Sequence, residues 1–446
     1  MSITSTDSPS PVSPETDRPV PLRRQRDYRL LWSARAVSET GSEVARLAVP
    51  LTAATLLTAS PIEMGLLTAA STVPFLLVGL PSGALADRVA RRRPVMVACE
   101  AFAGLAVLSV PAAWLGGLLT IPWLIAVALV VGVCTVVFRS FNTPHLMSVV
   151  APSQRTTALA GFQSVFSVAE MCGPSLAGLL VTLLTAPIAI VVNAVTFLAS
   201  ALCLKGIRAP EHGTRGSGRG ILREIAEGVS VLMKHGALRA LCATGMLVNF
   251  LGAAQLALYV LFAVRVLGLP GALVGVTATG FGVGGLLGAV LASRLARRFG
   301  ENRVLLGSVL FFPVGFVTTA AAGGPFWLVV CQLVAAEVIT GVAVVCYSVC
   351  AGAVTMRESP AELLGRVNAT TNFATQGVMA PGGVLGGLLG ASLGLRPALW
   401  VCAAAALLII PCLWLSPIRR GARPASAAGS PSTARRPRSG RAAARR

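Results

Sequence analysis

Arg35, Glu39, Glu43 and Arg46 stand four, four and three residues apart in a stretch otherwise made of apolar and small residues. On a helix turning about 100° per residue, the four side chains fall within roughly 80° of one another. The spacing allows Arg35 to reach Glu39, sets the two carboxylates one turn apart, and allows Glu43 to reach Arg46. Charge inside a bilayer costs several kcal/mol unless it faces protein or water, so this face is expected to look into an internal cavity. Two chemistries fit. Either Glu39 or Glu43 carries a proton, with Glu43 favoured because it lies nearer the middle of the span, or the cluster is permanently paired and only fixes helix packing.

Other ionisable groups lie deep in apolar segments. Glu170, three residues before Gly173, is a candidate second protonatable or cavity-lining group. Glu337 has no Arg within a turn, so it is expected to be protonated or to meet substrate. Arg139, near Asn142 and Pro144, is expected either to pair with one of the acids or to reach the surface by its long stem. Glu100 is expected to partner a run of loop arginines at Arg88, Arg91 and Arg92.

The elements that hold these groups follow from composition. Of 446 residues, 54% are hydrophobic and 12% charged, and the mean hydropathy is +0.76. That charged fraction is about half the usual value for a soluble chain. A soluble globular enzyme and a nucleic-acid-binding domain are excluded. The apolar residues suffice for about a dozen spans of some 20 residues each. Twelve are predicted, at 28–57, 62–86, 94–116, 121–150, 155–184, 187–207, 237–264, 270–294, 301–322, 325–354, 364–391 and 395–417. The fold class is all-α and polytopic, and Pro50, Pro144 and Pro313 are candidate kink sites.

The net charge of +20 is read as a topology signal. With the N-terminus inside, inner loops, tails and the inner parts of the spans carry 33 of the 37 Lys and Arg, and the outer loops only Arg265 and Arg396. Both termini are therefore expected in the cytoplasm of a cell-membrane protein. Residues 1–27 have no apolar run before Leu30, so no cleavable signal is expected and the first span directs insertion. Residues 1–27 and the Arg-rich 418–446 are expected to be disordered.

The chain also repeats. Ala84-Leu-Ala-Asp87-Arg88-Val-Ala-Arg91-Arg92 returns as Val290-Leu-Ala-Ser293-Arg294-Leu-Ala-Arg297-Arg298, and Gly173-Pro174 returns as Ala380-Pro381. Two landmarks with nearly one period predict two six-helix halves, 28–207 and 237–417, joined by a linker over 208–236. In the linker, Ile221, Ile225, Val229 and Leu232 share a face opposite Arg223, Glu227 and Lys234, which predicts a helix lying on the membrane surface. Duplicated halves suggest alternating access around a site near mid-membrane. The Gly-rich run from Gly280 to Gly285 lacks a following Lys-Ser/Thr, and His145, His212 and His235 are scattered. Neither nucleotide nor metal is expected, no cofactor is implied, and an ion gradient is the expected energy source. The ten Cys lie in apolar stretches without a CxxC, which suits packing.

Several of these motifs resemble a known family. Gly83-Ala-Leu-Ala-Asp87-Arg88-Val-Ala-Arg91-Arg92-Arg93 is similar to the loop signature of the major facilitator superfamily, and Gly173-Pro174 with Gly178 resembles its helix-five export motif. Tyr28-Arg-Leu-Leu-Trp32 and Glu362-Leu-Leu-Gly365-Arg366-Val-Asn368 resemble the secretion-effector branch, which holds macrolide-type efflux permeases and enterobactin-type siderophore exporters. The resemblance implies the twelve-helix major facilitator fold and a gating role for Gly83, Asp87, Arg88, Arg91 and Arg92, in which Asp87 holds the cytoplasmic side shut. Ser293 stands where the first half has Asp87, so the latch is expected to rest on the first half. The implied function is export of amphiphilic small molecules, including antibiotics, in exchange for protons, by a monomer whose partners are substrate, protons and the lipid bilayer. Export of one defined metabolite and a non-transporting sensor on the same fold are the alternatives.

Overall fold

The computed structural model describes residues 20–184, 186–209, 221–360 and 363–420. The helices are α1 (Arg26–Thr55), α2 (Pro61–Arg88), α3 (Arg92–Leu115), α4 (Ile121–Val149), α5 (Arg155–Leu184), α6 (Ala186–Lys205), α7 (Ile221–Lys234) and α8 (Gly236–Leu261). They continue with α9 (Gly271–Phe299), α10 (Glu301–Ser308), α11 (Phe311–Ala321), α12 (Phe326–Glu358), α13 (Leu364–Gly377), α14 (Met379–Leu393), α15 (Leu395–Ala406) and α16 (Ile409–Trp414). Each predicted span carries a helix or an end-to-end pair, and α7 is the linker helix. Among the described residues, nine helical stretches are long and apolar enough to cross a bilayer. The charges of α1, three of them in its last 18 residues at Glu39, Glu43 and Arg46, keep it out of that count.

Three predicted spans are broken in two, at Val309–Leu310, at Val378 and at Leu407–Leu408. Each break lies three to four residues before a proline, at Pro313, Pro381 and Pro411. Proline has no N–H to give the carbonyl four residues back, and its ring crowds that carbonyl. Pro50 and Pro144 do not break their helices; both lie inside continuous runs of α1 and α4.

The chain divides into two units. The first comprises Met1–Ala59, Ala70–Gly218 and Pro270–Thr279; the second comprises Ser60–Ala69, Arg219–Leu269 and Gly280–Arg446. The start of α2 thus counts with the second unit, and the start of α9 with the first. In the first unit, Leu31, Met96, Phe138, Phe141, Leu146 and Phe162 form a buried core among α1, α3, α4 and α5. Leu22 joins that core, and Gln25 donates to Gln154 at 2.8 Å. The residues just before α1 are therefore packed, against the expectation of disorder. The start of the Arg-rich tail is ordered too, against the same expectation: Pro417–Arg420 form a short helical turn and Ile418 is buried in the core of the second unit. The rest of the two expected disordered segments, 1–19 and 421–446, lies outside the described residues.

In the second unit the core gathers Leu305, Val309, Phe312, Phe316, Ala343, Cys402 and Leu413. Glycines set its helix spacing. Gly280, Gly284 and Gly288 of α9 meet the backbone of Val334, Val338 and Val342 of α12, one per turn on both sides. On α14, Gly382, Gly386 and Gly390 face Phe250, Ala254 and Leu258 of α8, while Gly383 and Gly387 face Gly65 and the first turns of α2. A Cβ at Gly386 would stand 2.5 Å from the Ala254 carbonyl oxygen. Small residues every fourth position allow such backbone approach.

The linker helix α7 docks on α13. Arg366 donates to Glu227, and Leu232 packs with Leu238, Cys242 and Val367. Val229, expected on the same apolar face, is exposed, as is Met233. The side chains of Ile221 and Ile225 lie outside the described residues. None of the ten cysteines is in a disulfide.

Candidate functional site

Glu39 is the hub of the first unit's buried charge. Its Oε1 lies 3.4 Å from Arg35 Nη2, one turn back on α1, and its Oε2 lies 2.9 Å from Arg139 Nη2 on α4. One carboxylate therefore takes two guanidinium groups, one from its own helix and one from a neighbour. Each guanidinium also lies over an aromatic ring of α5, Arg35 at 5.5 Å from Phe162 and Arg139 at 5.5 Å from Phe166. The two rings are one turn apart, so α5 presents both stacking surfaces on one face. Cation–π contact of this kind gains strength where water is excluded. α1, α4 and α5 thus converge on a cluster whose central carboxylate is buried.

Glu43 sits one turn further along α1 and is equally buried. Its Oε1 lies 2.7 Å from Arg46 Nη2, but the Arg46 side chain is 56% exposed against 3% for Glu43. Arg46 therefore meets this carboxylate at an open edge. The space for Glu43 is made by α5: a Cβ at Gly173 would meet the Glu43 side chain, with its Cγ at 2.6 Å. The glycine of the export-type motif is thus the wall against which the helix-one carboxylate lies. Two residues before Glu43, Gly41 brings α1 against Asn193 and Thr196 of α6.

The loop arginines divide. Arg92 is buried and its Nε donates to the Ala86 carbonyl at 3.0 Å, satisfying a carbonyl left open in the last turn of α2. Arg93 donates to the Ile207 carbonyl after α6. Arg88 and Arg91 are exposed, and a side chain at Gly83 would meet open space. Glu100, expected beside these arginines, instead accepts from Ser38 Oγ of α1 at 3.0 Å and is buried between α3 and α1. Its place three turns into α3 carries it past the loop and into the packed interior.

The side chains of Asp87, Glu170, Pro174 and Gly178 lie outside the described residues; Asp87 is in the last turn of α2 and the other three are in α5. Glu337 belongs to the second unit, on α12, where Gly280 makes room for it: a Cβ there would stand 3.1 Å from the Glu337 Cβ. Among the described residues it has no ion pair. Sequence reasoning left out Phe162 and Phe166, whose four-residue spacing in the fifth span was the available signal. It also passed lightly over Asn142, which is fully buried on α4 and whose amide has no hydrogen-bond partner among the described residues. No group of His, Cys, Asp and Glu among the described residues could hold a metal ion.

A chain whose described residues are helical, with apolar spans and a buried charge cluster in one unit, is a polytopic membrane protein. The transmembrane secretion effector pattern matches residues 18–432, and the chain belongs to that family, a branch of the major facilitator superfamily. Among solved structures it is similar to the nucleoside transporter NupG, at 12% identity and a TM-score of 0.67, over 87% of this chain and 98% of that one. It is also similar to a bacterial homologue of the iron transporter ferroportin in an inward-facing state, at 19% identity and 0.65, over 88% and 98%. A third likeness is to a bacterial homologue of the human lysosomal transporter Spinster in an inward-facing, occupied conformation, at 15% and 0.64, over 89% and 97%. At these identities the likeness is one of fold. No curated protein matches the chain in sequence.

Proposed function

We propose that this transporter is a proton-driven exporter of amphiphilic small molecules in the cytoplasmic membrane, with both termini inside and Glu43 as the carboxylate that carries the proton. The observation that carries this reading is the contrast between the two acids of α1. Glu39 engages both oxygens with guanidinium groups that are themselves stacked on α5. Glu43 is buried, and the ion pair it makes with Arg46 reaches the surface, where the Arg46 side chain is largely exposed. Protonating Glu43 would remove its hold on Arg46 and change the charge against the Gly173 face of α5. Glu39 would then hold α1 to α4 through the cycle. Substrate and proton would alternate at this face, so that release outside accompanies protonation and binding inside follows deprotonation.

The test is accumulation of a dye or macrolide in inside-out vesicles, with and without a proton gradient, for the wild type and Glu43→Gln. Gradient-driven uptake that the substitution abolishes supports the reading. Uptake that survives the substitution moves the coupling site elsewhere, with Glu170 and Glu337 next in line. Absence of gradient-driven uptake of every panel compound removes the multidrug reading.

A second reading has its own observation. Around Glu39 and Glu43 stand three guanidinium groups, from Arg35, Arg46 and Arg139, against two carboxylates. That balance suits export of one anionic metabolite, such as an acidic siderophore. Neutralising Arg139 would then weaken transport of the anion and leave neutral compounds unaffected.

A further inference from the structure

The second unit has a feature that plays no part in the charge cluster of α1. A groove of about 330 Å³ runs between α9, the α10–α11 pair and α12. Its wall is apolar, drawn from Leu291 and Leu295 of α9, Val304 and Phe311 of α10 and α11, and Val342 of α12, with Cys346 and Ser308 as the small polar exceptions. The helices around it present exposed apolar side chains, among them Leu287, Val290, Phe311 and Val314. In a chain that spans a membrane, that surface faces acyl chains, and the groove opens within it. Its volume is that of a small-ligand site.

One end of the groove is cationic. Arg303, on the first turn of α10, lines it and is exposed. Among the described residues Arg303 has no hydrogen bond or ion pair. Arg298 lies over the ring of Phe299, 5.3 Å from its centroid, and Phe299 also lines the groove, so a second guanidinium stands at the same mouth. The acids nearby are engaged elsewhere. Glu301 and Glu358 both pair with Arg357, at 3.3 Å each, and Asn302 accepts from the same guanidinium at 3.0 Å. The mouth therefore keeps positive charge unmatched by the protein, directly beside an apolar slot.

We propose that this groove binds an anionic phospholipid of the leaflet on the side of the Gly300 turn, with one acyl chain between α9, α11 and α12 and the phosphate on Arg303 and Arg298. Guanidinium groups take phosphate oxygens in pairs of parallel hydrogen bonds, and basic pockets between spans select anionic headgroups. The acyl chain and the headgroup are recognised by separate parts of the groove, so each is testable alone. The bilayer is the source, because free phosphate would leave the apolar slot empty.

The experiment is native mass spectrometry of the full chain in detergent, titrated with phosphatidylglycerol, phosphatidylcholine of the same chains, and glycerol phosphate. The wild type is expected to retain phosphatidylglycerol in preference to phosphatidylcholine and to bind glycerol phosphate poorly. Arg303→Gln should weaken phosphatidylglycerol binding about fivefold, and Arg298→Gln with Arg303→Gln about 25-fold. Arg294→Gln, on the same helix but outside the groove, should change nothing. Gly307 lines the groove, and a Cβ there meets no atom within 4 Å. Gly307→Leu should therefore fold, fill the slot and lower retention of phosphatidylglycerol with both arginines in place. Equal binding of the two lipids by the wild type would overturn the proposal. So would preference that survives the double arginine substitution, full retention by Gly307→Leu, or glycerol phosphate binding as tightly as the lipid.

Discussion

Replacing Gly173 by alanine tests the contact between α5 and the buried carboxylate of α1 most directly. The new methyl would stand 2.6 Å from Glu43 Cγ, where carbon atoms prefer about 3.5–4.0 Å. An overlap of about 1 Å must be relieved by moving a helix or forcing Glu43 off its rotamer, which costs about 1–3 kcal/mol. Alanine in a helix interior otherwise gains about 1 kcal/mol over glycine. The net change for Gly173→Ala is therefore a loss of up to about 2 kcal/mol. Gly252 of α8 is the matched control, because a Cβ there meets nothing within 4 Å. Gly252→Ala should stabilise the chain by up to about 1 kcal/mol. Unfolding in detergent, followed by tryptophan fluorescence, gives both values on one scale. Glu43→Gly removes the atoms the methyl strikes, so in that background Gly173→Ala should become as mild as the control. The resulting coupling between the two positions is about 1–3 kcal/mol. If Gly173→Ala were as stable as Gly252→Ala, or as costly with Glu43→Gly as without it, the contact would not be what keeps position 173 a glycine.

Glu39→Gln leaves Arg35 and Arg139 facing each other without a carboxylate between them and should lower unfolding stability by about 2–4 kcal/mol. Arg139→Gln, whose side chain is 35% exposed and whose loss leaves the Arg35 pair in place, should cost less than half as much in the same assay. Reversing the linker clamp by Glu227→Arg should speed protease cleavage at the linker, and adding Arg366→Glu should restore resistance; the exposed pair itself is worth only about 0.5–1 kcal/mol. Gly386→Leu, aimed at the Ala254 carbonyl, should separate α14 from α8 and abolish a cysteine crosslink engineered across that seam, whereas Gly365→Leu, which meets open space, should leave it intact.

How much of this arrangement could be read from the chain depends on distance along it. The face shared by Arg35, Glu39, Glu43 and Arg46 follows from helix periodicity, and both short-range ion pairs lie on it. Arg139 stands a hundred residues away, and nothing in spacing selects Glu39 over the other acids as its partner. Glu100 shows the same limit. Its neighbour along the chain is the arginine loop, but helix packing turns it toward Ser38. The spans themselves were legible because apolar length and helix ends are local properties. The breaks in three of them are not legible in the same way, because proline alone does not mark a break: Pro313 lies just after one, whereas Pro50 and Pro144 lie inside continuous helices. The role of Gly173 as space for Glu43 needed both helices in view. Its motif alone spoke only of a small residue.

The glycine contacts between α9 and α12 also govern where the second unit can yield. Gly280, Gly284 and Gly288 bring the backbone of α9 against that of α12 at three successive turns, with little side chain between to shear or re-orient. Two helices welded in this way, the shorter about 43 Å long, bend together as a single beam and are far stiffer than either alone. Compliance must then concentrate in the elements that are already interrupted, at Val309–Leu310, Val378 and Leu407–Leu408. Motion within this unit is therefore expected as rotation at those three joints rather than as sliding of α9 on α12.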